Sequence, residues 1–269
     1  MDRGVNSFVD VGEGVRLRTR ILGVGKPVLL IHGWTLAHEV WDRPMQVLAA
    51  AGHQVIAIDL RGHGESDAPL DGYHVEQLAA DAAAVLRAYE AESATVVGWS
   101  LGGLAALRMA YAFPELVSKV VTVASVGAAH VRHEAYPYGA PAGEAAESAL
   151  RSFEFADRVR FRRKAIGDLF KDAPAPDVLD WLHRISLRTP GWVADACLST
   201  LFRTEQTALL KDIAVPVAQI IGSHDPGLSV DGARWVQQQV EGRLIELDCG
   251  HYPMLECADD FDVALLSVI

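Results

Sequence analysis

The chain has 269 residues, of which 50% are hydrophobic, and a formal net charge of −11 at pH 7. This length and composition suffice for one domain with a full hydrophobic core and leave room for an inserted lid. The negative charge argues against nucleic acid and against anionic membrane surfaces as binding partners.

Short apolar runs alternate with amphipathic segments along most of the chain. A hairpin is expected first, since residues 7–11 and 15–22 flank the turn Gly12-Glu13-Gly14. Apolar runs then predict strands at residues 27–31, 54–58, 93–97, 119–124, 215–221 and 244–247. Helical spacing of apolar residues predicts helices at residues 41–51, 73–90, 101–112, 231–240 and 255–269. Buried strands that alternate with helices indicate an α/β fold, with a mostly parallel, twisted sheet covered by helices on both faces.

The alternation stops at about Gly127 and resumes near Val215. The intervening stretch is charge-rich and helical, contains scattered aromatic residues, and opens with a Pro/Gly/Ala linker at residues 137–143. We expect it to form a helical cap of residues 128–212, inserted into a core made of residues 1–127 and 213–269. Ordinary surface helices are the alternative, but an insertion of this length must pack against something.

The pentapeptide Gly98-Trp99-Ser100-Leu101-Gly102 lies between a predicted strand and a predicted helix. In so tight a turn, side chains at the two glycine positions would collide with the chain. The turn exposes the serine hydroxyl at the start of the helix, where developing negative charge is favoured. This pattern is typical of a nucleophile elbow and makes Ser100 the candidate nucleophile.

A serine hydroxyl needs a base, and the base needs a residue that orients it. Asp225 follows the first strand after the cap and His251 follows the last strand, so both are expected at the carboxyl edge of the sheet. Ser100, Asp225 and His251 occur in the chain order serine, acid, histidine that an elbow-based triad requires. Asp59 is the alternative acid, although it precedes the serine.

The negative oxygen that forms during attack on an ester needs two N–H donors, which together form an oxyanion hole. One donor is expected to be the backbone amide of Leu101, and the other the amide of Trp34, in the loop after residues 27–31. Gly33 lets that loop turn sharply, and His32 is expected to fix it through hydrogen bonds.

The remaining histidines have structural interpretations. His224 is expected to point away from Asp225, and His63 to support a loop. His130 and His133 are expected to be solvated cap residues, because no carboxylate pattern accompanies them as metal ligands. No metal site and no cofactor are therefore expected.

With these residues in place, the chain resembles the α/β-hydrolases of the serine esterase type. The resemblance rests on motifs across the core: His32-Gly33-Trp34, residues 59–66 (DLRGHGES), 98–103 (GWSLGG) and 222–225 (GSHD), and Gly250-His251 with Glu256. Residues 32–61 are especially similar to bacterial arylesterases and cofactor-free haloperoxidases or perhydrolases. The elbow and residues 122–125 (TVAS) resemble carboxylesterases that demethylate pimeloyl-type thioester-bound esters. Perhydrolases carry proline after the His-Gly-Trp tripeptide, whereas this chain has Thr35, which argues against peracid chemistry.

The sequence therefore favours a serine hydrolase that cleaves small or medium carboxylic esters with a neutral acyl group, through an acyl-enzyme. The alternatives are a carbon–carbon bond hydrolase, a lactonase or a perhydrolase with the same triad, and more remotely a non-catalytic small-ligand-binding protein. Side chains that flank the catalytic residues, with two cap aromatics as a roof, are candidates for the pocket wall: Trp34, Trp99, Val126, Leu228, Tyr252, Tyr136 and Trp181. Cap arginines could bind an acidic substrate tail, but a solvated helix face is the favoured interpretation of Arg132, Arg158, Arg160, Arg162 and Arg163.

The three cysteines, Cys197, Cys249 and Cys257, are odd in number and lack metal-ligand spacing, so no disulfide framework is expected. Residues 1–20 contain no apolar leader, and no segment approaches an uninterrupted apolar run of about 18 residues. We therefore expect a cytoplasmic protein whose partner is a small-molecule substrate and which contacts no membrane. The sequence does not indicate an oligomeric state.

Overall fold

The computed structural model describes residues 5–140 and 144–269. The described residues form the strands β1 (Val5–Asp10), β2 (Arg16–Leu22), β3 (Lys26–Ile31), β4 (His53–Ile58), β5 (Ala94–Trp99), β6 (Val117–Val123), β7 (Val217–Gly222) and β8 (Leu244–Leu247). They make one sheet in the order β1-β2-β4-β3-β5-β6-β7-β8. β2 runs antiparallel to β1 and β4, and the other adjacent strands are parallel. The expected hairpin and mostly parallel sheet are confirmed.

The helices of the described residues are α1 (Asp42–Ala50), α2 (Val75–Ala88), α3 (Leu101–Ala112), α4 (Glu144–Asp168), α5 (Pro176–Ser186), α6 (Gly191–Arg203), α7 (Val230–Gln237), α8 (Pro253–Glu256) and α9 (Ala258–Val268). Short 3-10 helices occupy His38–Trp41 and Thr207–Asp212. The prediction of one closing helix at 255–269 is wrong, because Cys257 adopts φ −136 and ψ 54 and separates α8 from α9. Within the described ranges, no helix has the length and apolar character needed to cross a membrane.

The central strands are buried on both faces of the sheet. In β3, Leu29 and Ile31 belong to the core on one side, and Val28 and Leu30 to the core on the other. Successive strand side chains point to opposite faces, so a strand covered on both faces is apolar throughout. Residues of α2, α3 and α7 pack in the first core, and residues of α1 and α9 in the second. The fold therefore has three layers, with the sheet between two layers of helices.

The inserted helical region consists of α4, α5 and α6, and it lies between β6 and β7 in the chain. These two strands are parallel neighbours, with Val120 paired with Val217. α4 is kinked at Asp157, and α5 packs Leu182 and Ile185 into the second core. Of the sequence interpretations, the last three residues of the linker, 141–143, and residues 1–4 of the expected core lie outside the described residues.

Candidate active site

Ser100 lies in the sharp turn between β5 and α3. Its backbone has φ 54 and ψ −118, a conformation that residues with a Cβ rarely adopt. A Cβ at Gly98 would overlap the Gly102 carbonyl oxygen, and a Cβ at Gly102 would overlap the Ile31 carbonyl oxygen. Both glycines are therefore needed for this turn, which places Ser100 at the carboxyl edge of the sheet.

Three side chains from separate loops form one hydrogen-bond chain. Ser100 Oγ lies 3.0 Å from His251 Nε2, and His251 Nδ1 lies 2.7 Å from Asp225 Oδ2. A carboxylate can only accept, so His251 Nδ1 carries the proton and Nε2 is left to accept from the serine hydroxyl. The other carboxylate oxygen, Asp225 Oδ1, accepts from the Gly227 amide at 2.8 Å. The structure thus brings together the three residues expected from chain order.

The loop that carries His251 is fixed by the carboxylate of Glu256, in α8. This carboxylate accepts from the backbone N–H groups of both neighbours of His251, at 2.9 Å each, and from the Lys171 N–H at 2.8 Å. The His251 carbonyl oxygen in turn accepts from the Trp99 indole at 2.8 Å. Because the backbone is held on both sides of His251, its imidazole keeps its direction.

The loop after β3 approaches Ser100 closely. A Cβ at Gly33 would lie 2.9 Å from Ser100 Cβ, so this approach favours glycine. His32 Nδ1 lies 2.7 Å from the Gly33 carbonyl oxygen, and its Nε2 accepts from the Leu60 amide at 2.9 Å. Burial lowers the pKa of His32, which keeps the ring neutral and able to make both bonds. The ring thus fixes the loop, as expected, and Trp34 follows directly.

A cavity of about 130 Å³ lies beside Ser100. Its wall includes six of the seven candidate residues: Trp34, Trp99, Val126, Leu228, Tyr252 and Tyr136. The structure places the seventh, Trp181, outside this wall, because α5 turns it against the second core beside Leu182. The cap contributes Ile166 and Leu169 instead. No Asp, Glu, Lys or Arg of the described ranges lines the cavity.

His130 also lines the cavity, which corrects the expectation of a solvated cap histidine. Its ring meets the edge of Phe202, with ring centroids 5.3 Å apart. Burial and, to a smaller extent, nearby His251 lower the pKa of His130 to about 4, so the ring is neutral at pH 7. No motif marks His130. Its position in the loop that follows β6 is the signal that could have identified it.

Asp59, the alternative acid, lies in a different hydrogen-bond cluster from Ser100. Its carboxylate accepts from the backbone and ring N–H groups of His38, at 2.7 and 2.8 Å, and from the Glu65 amide at 2.9 Å. Burial would raise the pKa of Asp59, but the hydrogen bonds and charge of His38 outweigh burial and lower it to about 2. Ligand atoms of Glu39, His38 and Asp59 lie within 4.8 Å of one another, close enough that the three side chains could hold a metal ion. The bonds between His38 and Asp59 join the segment after β3 to the segment after β4.

Two further histidines lie outside the cavity wall. His63 Nδ1 lies 2.9 Å from the Arg61 carbonyl oxygen, in agreement with a loop-supporting role. His224 Nε2 lies 3.0 Å from an Asp248 oxygen in an exposed contact. Neither ring takes part in the hydrogen-bond chain of Ser100.

The expectation of a solvated arginine face is wrong for Arg162, which is 0% exposed. Its guanidinium pairs with the buried carboxylate of Glu154, and Nη1 donates to the carbonyl oxygens of Ser186 and Thr189. Arg162 is buried because the carboxyl end of α5 and the turn before α6 face it with these carbonyl groups. Arg160, on the same helix, has a side chain 90% exposed. Helical spacing alone does not show which face of α4 meets another helix.

Comparison with known proteins shows the family. A model of the alpha/beta hydrolase fold family matches residues 26–257. The non-heme chloroperoxidase of Streptomyces lividans is 32% identical over 216 residues, which are 75% of this chain and 75% of that protein. The pimeloyl-[acyl-carrier protein] methyl ester esterase of Chromobacterium violaceum is 31% identical over 256 residues, 93% of this chain and 97% of that protein. An esterase structure from Exiguobacterium antarcticum has a TM-score of 0.92 at 24% identity and covers 98% of both chains. The chain therefore belongs to the alpha/beta hydrolase fold family and is a hydrolase of this fold.

Proposed function

We propose that this protein hydrolyses small or medium carboxylic esters with neutral acyl groups, with Ser100 as nucleophile. The observation that carries the proposal is the hydrogen-bond chain from Asp225 through His251 to Ser100, beside an apolar cavity. The relative from Chromobacterium violaceum, whose name is that of a methyl ester esterase, supports ester hydrolysis as the reaction type. We assign residues 128–212 to the cap and residues 1–127 and 213–269 to the core.

The first half of the proposed reaction forms an acyl-enzyme. Ser100 Oγ attacks the ester carbonyl carbon while His251 Nε2 takes the hydroxyl proton. The carbonyl oxygen becomes negative and accepts hydrogen bonds from the backbone amides of Trp34 and Leu101. Asp225 keeps Nδ1 of the imidazolium hydrogen-bonded and stabilises its charge, without taking the proton.

The second half releases the acid. His251 gives its proton to the alkoxide oxygen of the leaving group, and the alcohol departs as the carbonyl re-forms. A water molecule then loses a proton to His251 and attacks the acyl carbon on Ser100. When this second tetrahedral intermediate collapses, Ser100 recovers its proton and the carboxylic acid leaves.

The cavity wall supports an uncharged acyl group. A carboxylate or ammonium group in the substrate would need a buried partner of opposite charge, and no Asp, Glu, Lys or Arg among the described residues lines the wall. A volume of about 130 Å³ suits short chains better than long ones. Within this apolar wall, the neutral imidazole of His130 offers a hydrogen bond to an uncharged polar substituent.

The conformation of Thr35 argues against the perhydrolase alternative. Thr35 has φ 57, whereas the ring of proline fixes φ near −65°. Proline could therefore not replace Thr35 without moving the loop that carries Trp34. The backbone conformation, as well as the residue, differs from what a proline at this position would require.

The proposal is tested by measuring hydrolysis of p-nitrophenyl acetate, butyrate and octanoate by the wild type and Ser100→Ala. We expect kcat to fall by roughly 10⁴–10⁶ in the variant. Ser118→Ala is the matched control. Ser118 lies near the amino end of β6, at the opposite edge of the sheet from Ser100, and in the described structure its hydroxyl bonds only to the Ser93 carbonyl oxygen. Full activity in Ser100→Ala would overturn the assignment of the nucleophile.

A panel of lactones, β-diketones, and acetate with hydrogen peroxide separates the alternative bonds. Activity on a diketone with none on esters would replace ester hydrolysis by carbon–carbon bond cleavage. A wild type that yields no more than one equivalent of product per chain on every substrate would favour a binding protein.

A further inference from the structure

The loop after β3 adopts a strained backbone at Thr35, the residue that follows Trp34. Thr35 has φ 57 and is 1% exposed. A β-branched residue at positive φ is an outlier, so the surrounding structure must hold it in place. Because Thr35 and Trp34 share a peptide unit, groups that fix Thr35 also fix the position of Trp34.

The inserted helical region supplies those groups. Ser186 Oγ, at the end of α5, donates to Thr35 Oγ1 at 2.9 Å, and both side chains are buried. Thr189 Oγ1, in the turn before α6, donates to the Thr35 carbonyl oxygen at 3.2 Å. The Trp34 indole donates to the Ala194 carbonyl oxygen of α6 at 2.9 Å. The insertion therefore contacts both Trp34 and the strained residue that follows it, Thr35.

Arg162 of α4 holds the backbone of these two cap residues. Its Nη1 donates to the carbonyl oxygens of Ser186 and Thr189, at 2.8 Å for Thr189. Glu154 pairs with the other side of the guanidinium, and the two side chains are 0% and 1% exposed. A buried ion pair adds little net stability after desolvation. The effect of this pair is therefore to hold the two carbonyl groups in position.

We propose that the inserted region holds the Trp34 amide of the oxyanion hole in position, with Ser186, Thr189 and Arg162 as positioning residues. They act on the Trp34 amide through Thr35. The inference rests on the proposed ester hydrolysis, and it makes α4–α6 a fixed support for catalysis as well as a source of cavity-wall residues. Loss of this support weakens hydrogen bonding to the tetrahedral intermediate, which lowers kcat and leaves KM nearly unchanged.

The test compares Thr189→Val, which removes the hydroxyl at similar volume, with Thr189→Ser, which restores it. We expect kcat for p-nitrophenyl butyrate to fall roughly 10- to 100-fold in Thr189→Val, and to recover in Thr189→Ser. KM should stay within about 2-fold in both. Thr200→Val is the matched control, because Thr200 Oγ1 joins α6 to the Tyr73 carbonyl oxygen at 2.8 Å, away from Thr35. The control should keep the wild-type kcat even if its Tm falls equally.

The rate at which a fluorophosphonate labels Ser100 gives a second readout, which does not depend on turnover of an ester. Its phosphoryl oxygen gains negative charge at the same amides, so labelling should slow in Thr189→Val in proportion to kcat. A wild-type kcat in Thr189→Val, or an equal loss in Thr200→Val, would overturn the support role while ester hydrolysis stands. If esters are not hydrolysed but labelling slows only in Thr189→Val, the proposed function fails and the support role stands. A wild type that is neither active nor labelled would overturn both.

Arg162 is tested together with Glu154, because removing one partner alone leaves a buried charge. The double variant Arg162→Met with Glu154→Leu replaces the pair by apolar side chains. We expect kcat to fall roughly 10-fold or more, with KM again within about 2-fold. A folded double variant with wild-type kcat would remove Arg162 from the positioning residues.

Discussion

Replacing Glu256 with glutamine tests whether this carboxylate sets both the stability of the protein and the position of His251. Oε2 accepts from the Gly250 and Lys171 amides, and Oε1 accepts from the Tyr252 amide. Glutamine offers one acceptor oxygen, so its best rotamer keeps two of these bonds and turns an NH₂ group toward the third N–H. One bond to a charged acceptor is lost and one donor faces another donor. The free energy of unfolding should therefore fall by about 1–3 kcal/mol.

Glu246→Gln is the control, because it makes the same change at a partly exposed ion pair with Arg234. Exposed pairs contribute about 0–1 kcal/mol, so this variant should stay near the wild type. Urea unfolding measures the stability of both variants, and kcat on p-nitrophenyl butyrate reports the position of His251. We expect kcat to fall roughly 10-fold in Glu256→Gln and to be unchanged in Glu246→Gln. Equal stabilities together with an unchanged kcat would refute the reasoning.

Three further predictions concern the elbow, the loss of stability at acidic pH and the cavity. Gly98→Ala should lower the free energy of unfolding by roughly 1–3 kcal/mol and remove most activity, because its Cβ would overlap the Gly102 carbonyl oxygen. Gly191→Ala is the control, since a Cβ there meets nothing within 4 Å. An active, stable Gly98→Ala would contradict the elbow geometry. Burial lowers the pKa of His63 to about 3, whereas in the unfolded chain this imidazole binds its proton near pH 6.5. His63 therefore makes the free energy of unfolding of the wild type fall with pH, by about 1.3 kcal/mol per pH unit between pH 6 and pH 4. Urea unfolding at pH 7, 6 and 5 should show a shallower loss in His63→Gln, and equal slopes would rule out this titration. His130→Phe should reduce kcat/KM for p-nitrophenyl 3-hydroxybutyrate relative to the butyrate by about 5-fold, through the loss of one hydrogen bond; an unchanged ratio would show that the imidazole does not contact the acyl chain.

The sheet could be predicted from sequence because burial on both faces leaves strong local signals. β3 and β5 are mostly apolar and contain several β-branched residues, and their predicted positions agree with the structure to within two residues. The break between α8 and α9 has no such signal. It lies at Cys257, next to Glu256, whose carboxylate reaches back to the His251 loop. This contact forms only in the folded protein, so it leaves no local signal in the sequence.

The meeting of Ser100, Asp225 and His251 could also be predicted, since each follows a strand and the ends of parallel strands share one edge. Trp99 and Tyr252 could be placed in the cavity wall because they are sequence neighbours of two of these residues. The contribution of the cap could not be derived in this way. Helical spacing gives a buried face but not the partner that covers it, as Trp181 and Arg162 show.

The two ends of the inserted region lie side by side. The Gln206 amide donates to the Ala128 carbonyl oxygen at 2.7 Å, and Ala129 pairs with Glu205 in an isolated antiparallel bridge. A segment with such close ends can be exchanged for another, in evolution or in a designed chimera, without changing the order of the strands. The hydroxyls of Ser186 and Thr189 restrict that freedom, because a foreign cap that lacks them would leave Thr35 without its hydrogen-bond partners. A transplanted cap should therefore carry both hydroxyls, so that a change of substrate range does not also become a loss of rate.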